Sequence, residues 1–337
     1  MEHIVSHFLD FEKLVSFLPF GGGHINDTFK VAINEGGQHK NYLLQRINHQ
    51  VFQQPEQVME NIFLVAEHLS NQAYPLNILS PIHSKNGGWL FKGTEGNFWR
   101  LFPFFENTVS FHSVESVEQA FGAARAFGIF AKALNGMDAS KLLVTIPGFH
   151  DGLARLAHFK KVLKNARQER LREANSEIQI LLDNQLVFKK IASLGLPLRA
   201  VHHDAKINNL LFDKTTLKPV AVVDLDTVMP GIVLSDFGDM VRTFTCPADE
   251  DEADLSKVEM RVPFFEAVLE GFLSETGSLL TPAERENLAA GGRWLTLMQA
   301  MRFLGDYLTG DVYYKTKYPR HNLVRARNQL ALFRSMG

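Results

Sequence analysis

Residues 202–213 read HHDAKINNLLFD, and a second acidic stretch, VVDLD, follows at 222–226. An apolar strand has no need of acids at its ends, so the aspartates and asparagines framing Leu210-Leu211-Phe212 point to a bound cation. Asp213 to Pro219 reads as a turn and Val220 to Val223 as the returning strand. A turn near residues 216 and 217 sets Asn209 opposite Asp224 at the open end, with Asp204 a short loop away. Two neighbouring oxygen ligands, with room for water and phosphate oxygens, suit Mg2+, which keeps much of its hydration shell. Asp204 stands where a side chain accepts a proton from an incoming hydroxyl.

His202, Asp204 and Asn209 fall in the H-x-D-x-x-x-x-N register of a kinase catalytic loop, with a metal-binding aspartate after the next hairpin. Asp236-Phe237-Gly238 spells the DFG of protein kinases but lies beyond that hairpin. The metal role therefore falls to Asp224, and Asp236 is expected to brace the loop through backbone hydrogen bonds. The competing reading of 202–226 is a plain hairpin carrying surface acids.

Composition sets the frame. With 337 residues, 45% hydrophobic and 21% charged, the chain is an ordinary globular protein large enough for two lobes. A formal net charge of −2 gives no long-range attraction to nucleic acid or anionic membranes, and neither is expected as a partner. The single cysteine, Cys246, makes no internal disulfide, which fits a reducing cytoplasm. No apolar run reaches the roughly 18 residues of a membrane span. The N-terminal MEHIVSHFLDFEKLVSF carries early acids, which argues against a signal peptide, and reads as an amphipathic helix.

Residues 1–105 look like an antiparallel sheet with one inserted helix, QPEQVMENIFLVAEHLSNQ, opened by Pro55. Strands are expected at DTFKVAI and NYLLQRI, in a hairpin around Gly87-Gly88 between NILSPIHS and WLFKG, and at NFWRLFPFF. Residues 106–337 read as mainly helical, with capping boxes at Ser116–Gln119 and Thr281–Glu284. The fold class is thus α+β: a nucleotide-binding lobe over 1–105 and a catalytic and substrate-binding lobe over 106–337, a bilobal protein-kinase-like arrangement.

Gly21-Gly22-Gly23, between strands, lets backbone N–H groups approach phosphates. It meets neither the Rossmann nor the P-loop pattern. In a kinase lobe a cation on the third strand meets the phosphates and an acid on the following helix. Arg46 in LLQRI and Glu60 in VMENI are the candidates, with Gln45 on the other side of the strand. An ordinary surface salt bridge is the competing account of Arg46. The segment around Pro103-Phe104-Phe105 is expected to hold adenine by backbone hydrogen bonds and apolar packing.

HHDAKINN, VVDLDTVMPG and SDFGD resemble the aminoglycoside phosphotransferase and choline kinase superfamily. More narrowly, GGGHINDTF, LLQRIN, VMENI, DLDTVMPG and RFLGDYLTGDVYY resemble N-acetylhexosamine 1-kinases, in blocks from residue 21 to about 328. The resemblance implies transfer of the γ-phosphate of ATP, with Mg2+, to the anomeric hydroxyl of N-acetylglucosamine or N-acetylgalactosamine. It implies Asp204 as base, Lys206 reaching the γ-phosphate, and Asn209 and Asp224 as magnesium ligands. It also implies His24, Asp226, Arg302 and Tyr314 around the sugar. Blander accounts stand beside these: His24 capping the glycine turn, Asp226 orienting Asp224, Arg302 paired with a nearby acid, Tyr314 in the core. Kinases for choline, homoserine or aminoglycoside hydroxyls are the nearest alternatives, and a non-catalytic nucleotide-binding module is the alternative outside enzymes.

Overall fold

The computed structural model describes residues 1–21 and 25–337; Gly22, Gly23 and His24 lie outside the described residues. The chain forms two compact units. The first comprises Met1–Val109, Gly136–Pro147 and Leu211–Pro230, and the second Ser110–Asn135, Gly148–Leu210 and Gly231–Gly337.

The first unit opens with helix α1 (Glu2–Ser6) and strands β1 (Lys13–Pro19), β2 (Asp27–Glu35) and β3 (Gln38–Ile47). Helix α2 (Pro55–Ser70) follows, then β4 (Phe91–Lys92), β5 (Phe98–Pro103) and β6 (Thr108–Val109). Strands β1 to β5 make an antiparallel sheet in the order β1-β2-β3-β5-β4. The expected N-terminal helix is a correction: only Glu2–Ser6 is helical, and Lys13–Pro19 pairs with β2. KLVSFLP gives its N–H groups to a ladder there, and its apolar Leu14 and Phe17 pack onto the sheet core. That core joins Val5, Phe8, Val31, Ile33, Leu44, Trp99 and Leu101 on one face.

The hairpin expected around Gly87-Gly88 is also corrected. Lys92 and Phe91 pair with Phe98 and Trp99, so the chain reverses at Gly93–Gly96 instead. NILSPIHS contributes only single bridges, Asn77 to Ala221 and Ile82 to Leu101. Pro81 has no N–H to give a ladder, which keeps this segment from becoming a strand.

Helix α2 buries Val58, Met59, Ile62, Val65, Ala66 and Leu69, the i, i+3, i+4 spacing of a single packed stripe. Two later segments complete the unit: the three-stranded sheet of β6, β8 (Leu210–Asp213) and β9 (Pro219–Val222), counting β7 below, and β10 (Met229–Gly231), whose last residue belongs to the second unit.

The second unit is helical: α3 (Val117–Leu134), α4 (Gly152–Asn165), α5 (Gln168–Glu173), α6 (Asn175–Asp183), α7 (Leu186–Ser193), then the short β7 (Arg199–Val201). After the site segment come α8 (Leu234–Phe244), α9 (Val262–Thr276), α10 (Pro282–Glu286), α11 (Leu288–Thr309) and α12 (His321–Ser335). The Thr281–Glu284 box forms in full. At Ser116 only half forms: its Oγ accepts from Gln119 N, while Gln119 Oε1 accepts from Glu115 N at 2.7 Å. Helices α8 and α11 touch closely, since a Cβ on Gly238 would stand 2.5 Å from Gly291 O. Only glycine fits that crossing.

Candidate functional site

In the second unit, β7 delivers the chain into His202-His203-Asp204, and a 3-10 turn over Ile207–Asn209 carries it out. His202 is fully buried, its ring edge-on to Phe127 and Phe130. His203 is left-handed, φ 63°, and its ring lies so close to Gly231 that a Cβ there would overlap it. The loop is held from behind by Asp236. Its Oδ2 accepts from His202 N at 2.9 Å and its Oδ1 from His203 N at 2.7 Å, the bracing expected of it. Burial pushes the Asp236 carboxyl up to about 6, against the opposing pull of His202 and the two N–H groups. Each letter of the DFG thus has a packing reason: Asp236 braces, Phe237 is fully buried, and Gly238 admits α11.

Asp204 projects from this braced loop. Its Oδ1 receives Lys206 Nζ at 2.8 Å, and its Oδ2 and its backbone carbonyl accept from Asn209 Nδ2 at 2.9 and 2.8 Å. Burial alone would raise the carboxyl, but Lys206, His202 and Asn209 outweigh it and hold Asp204 below the ordinary carboxylate value. Burial would likewise lower Lys206, and the Asp204 and Asp239 charges outweigh it, keeping the ammonium charged. With its amide nitrogen on Asp204, Asn209 turns Oδ1 the other way, a hard oxygen of the type Mg2+ takes. Sequence reasoning passed over Asp239, buried and joined to Arg242 at 2.8 Å; the i, i+3 spacing in DFGDMVR was its signal.

In the first unit, the Val222–Asp226 stretch does not continue the ladder as the hairpin extrapolation required. Asp213 N bonds Lys218 O at 2.9 Å, and pairing stops at Leu210 and Val222, short of both Asn209 and Asp224. Asp224 is left-handed, φ 59°, and caps a 3-10 turn over Leu225–Thr227. That turn is anchored on several sides. Asp226, 3% exposed, meets Arg100 at 2.6 Å (Nη1–Oδ1) and 2.9 Å (Nη2–Oδ2), and Asn26 Nδ2 at 2.7 Å. Thr145 Oγ1 donates to Asp226 O at 3.2 Å, and Asn61 Nδ2 donates to Val228 O at 2.9 Å. Asn26, just past the glycines, also accepts from Asn48 N at 3.0 Å.

The buried cation on this sheet is Arg100 of β5, and Arg46 of β3 is exposed. Successive strand residues face opposite ways. Gln45 therefore faces α2 with its ladder neighbour Arg100, whose Nε donates to Gln45 Oε1 at 3.0 Å, while Arg46 lies on the Trp99 face. Arg46 pairs with its cross-strand neighbour Asp27, Nε to Oδ2 at 2.8 Å, and both side chains are exposed. Glu60 lies off the buried stripe of α2 and is exposed; among the described residues it has no ion-pair partner. The Arg46–Glu60 pair is thus not formed. A charged residue in the buried run FWRLFP was the signal for Arg100, since such a charge needs a partner.

Of the other expected nucleotide contacts, Gly21 is left-handed at φ 75° and exposed, while Gly22 and Gly23 lie outside the described residues. Lys30 Nζ sits 4.0 Å over the Phe104 ring, whose edge contacts Phe20 at 5.2 Å. Phe105 O accepts from Thr108 Oγ1 at 2.8 Å.

The expected sugar residues separate. His24 lies outside the described residues, and Asp226 is engaged by Arg100 and Asn26 rather than turned outward. Arg302 and Tyr314 do meet, both lining a cavity of about 180 Å³ in the second unit between α4, α11 and the loop that follows it. Arg302 packs 4.8 Å from the Phe149 ring and 5.7 Å from Tyr314, and donates to Gln299 Oε1 at 2.8 Å. Burial raises the Tyr314 hydroxyl, opposed by Arg302. No helix of the described residues is long and apolar enough to cross a membrane, and no cluster of three or more His, Cys, Asp or Glu among them could hold a metal.

Comparison with known proteins places these features in context. The profile of the phosphotransferase enzyme family, APH, matches residues 16–265. An amicoumacin kinase in complex with AMP-PNP, Ca2+ and Ami superposes with TM-score 0.65 at 11% identity, covering 96% of this chain and 90% of that one. A microcompartment-associated aminopropanol kinase gives 0.60 at 13%, covering 98% and 93%. Choline kinase from Cryptosporidium parvum gives 0.55 at 14%, covering 94% and 88%. The kinase-like α+β fold of these proteins, with its antiparallel sheet and mainly helical remainder, is the fold of this chain.

Proposed function

The chain belongs to the phosphotransferase enzyme family, and from that premise we propose that it transfers the γ-phosphate of ATP to a hydroxyl of a small molecule, the acceptor being an N-acetylhexosamine at its anomeric hydroxyl. The observation that carries the reading is the Asp204 carboxylate, fixed by Asn209 and Lys206 on a loop braced from below by Asp236. A carboxylate so fixed orients a hydroxyl for in-line attack and takes its proton as the bond forms. Because neighbours hold it low, Asp204 is a weak base that is ionised at neutral pH. An anomeric hydroxyl is more acidic than an ordinary alcohol, so a weak base suffices.

When bound, Mg2+ would supply the positive charge that neutralises phosphate oxygens. Asn209 Oδ1 and the Asp224 carboxylate are the oxygens this chain would offer it. Lys206 leaves Asp204 to reach the γ-phosphate, which frees the carboxylate for the hydroxyl. Arg100 and Asn26 hold the Asp224 turn through Asp226, so Asp226 acts as a positioning residue. Phe104, Phe105 and Gly21 serve the nucleotide, and Arg302 and Tyr314 line the acceptor site. The AMP-PNP and Ca2+ of the amicoumacin kinase support ATP as donor and a divalent cation beside it.

The aminopropanol and choline kinases favour a second reading, an amino-alcohol hydroxyl as acceptor. ADP release with Mg2+ and ATP separates the two over N-acetylglucosamine, N-acetylgalactosamine, glucose, galactose, choline and homoserine. Turnover on the N-acetylated sugars that vanishes with a 1-O-methyl glycoside is the expected result. Turnover confined to choline or homoserine contradicts the sugar assignment.

A further inference from the structure

The cavity between α4 and α11 is unusual in its charge. Two guanidiniums line it, Arg155 from α4 and Arg302 from α11, with His158, Tyr313 and Tyr314. Among the described residues neither arginine has an ion-pair partner. Arg155 donates only through Nε, to Phe149 O at 3.3 Å, and Arg302 only through Nη1, to the neutral Gln299. The one acid in the lining, Asp306, is already engaged. Its Oδ1 accepts from Val312 N at 2.9 Å and Tyr313 N at 2.8 Å, and its Oδ2 from Tyr314 N and Asn322 Nδ2, both at 2.9 Å. Those bonds pin the loop that closes the cavity, so its wall is preformed and little ordering is left for a ligand to impose.

Two like charges facing one half-buried space repel each other, and burial with Arg302 beside it pulls Arg155 below its ordinary value. Elsewhere in this unit Arg242 has Asp239 and Glu250, Arg199 has Glu284, and Lys206 has Asp204, whereas the two cavity arginines face one space with no acid free between them. The missing counter-charge is an oxyanion. At about 180 Å³ the space lies below the roughly 300–1,000 Å³ that encloses a drug-sized ligand, so the group it takes is compact.

We propose that the Arg155–Arg302 cavity binds the carboxylate or phosphate of a small molecule. The two guanidinium forks supply charge-assisted hydrogen bonds and the tyrosine hydroxyls supply neutral ones. The site shares Arg302 and Tyr314 with the acceptor reading but does not rest on it. It disfavours a cationic amino alcohol in this cavity, because the arginines would repel an ammonium at close range.

The test is thermal unfolding of the full chain with saturating Mg2+ and AMP-PNP, so that nucleotide phosphate contacts are filled, titrated with inorganic phosphate, acetate and glucose 6-phosphate at fixed ionic strength. Phosphate and acetate separate the two oxyanion types, and glucose 6-phosphate separates a free from a carried phosphate. At least one is expected to raise Tm saturably, with choline causing no shift. Arg155→Gln and Arg302→Gln should each weaken that response by about tenfold or more, the loss of one charge-assisted bond. Arg155→Lys, which keeps the charge, should retain part of it. No saturable shift with any of the three anions, or an unchanged shift in both Gln variants with ligand-free Tm preserved, overturns the proposal. Acceptor turnover measured on the same preparations keeps the two readings apart. Anion binding without sugar turnover leaves this site standing and removes the sugar, and sugar turnover without anion binding does the reverse.

Discussion

Arg100 and Asp226 form a buried, two-contact ion pair, 2.6 and 2.9 Å, between the middle of β5 and the turn that carries Asp224. The arginine side chain is 2% exposed and the aspartate 3%. A buried pair is weak support for stability as such, because desolvation offsets much of the attraction, but losing one partner strands the other charge. Arg100→Gln should therefore destabilise the fold by about 3–5 kcal/mol in denaturant unfolding. Replacing both residues together, Arg100→Met with Asp226→Leu, should recover most of that stability while activity stays low, since Asn26 and the Asp224 turn lose their anchor. Recovery of both together would show that the pair holds only the fold.

Arg46 supplies the contrast. Its pair with Asp27 is exposed on both sides, and such pairs are worth about 0–1 kcal/mol. Arg46→Ala should leave stability within that range and the KM for ATP nearly unchanged. A rise of tenfold or more in that KM would return Arg46 to the phosphate role that the sequence suggests.

The contrast shows what the sequence made legible. The Asp204 loop was readable because its pattern is local: the spacing of His202, Asp204 and Asn209 is written in one short stretch. The inward-facing cation was not, because strand register decides it. A one-residue shift turns a side chain to the other face, and only the pairing of Gln45 with Arg100 shows that the inward cation comes from β5. The same holds at the N-terminus, where Lys13–Pro19 carries apolar residues that fit either period until β2 takes up its hydrogen bonds. In the cavity, Arg302 and Tyr314 came from family resemblance, while Arg155 had no local signature at all.

Asp236 makes a pH prediction. Its folded-state value is raised from the ordinary 3.8 to about 6 by burial, so the folded protein holds this proton more tightly than the unfolded chain. The stability it adds is full below about pH 4 and is lost as pH rises through about 6. The wild type's advantage over Asp236→Asn should therefore be largest near pH 4 and shrink toward pH 7, as read from urea unfolding at each pH. A difference that stays flat across that window contradicts the raised value.

Lys206 makes another. It is a principal charge holding Asp204 low, after burial, which acts the other way. In Lys206→Met the Asp204 carboxyl should rise, and the acidic limb of the kcat/KM profile, which reports the free enzyme, should move to higher pH as the base takes up a proton sooner. An unshifted limb with a uniformly lower rate would mean that Lys206 acts on phosphate alone.

The central claim is that Asp204 orients and deprotonates the acceptor hydroxyl. The most direct measurement is single-turnover cleavage of ATP with the best acceptor of the panel, in wild type and Asp204→Asn, alongside the Kd for ATP. The account predicts a chemical step slower by about 10²–10⁴-fold, the range of general-base catalysis, with the ATP Kd changed only slightly. An Asp204→Asn protein that turns over at the wild-type rate would contradict it.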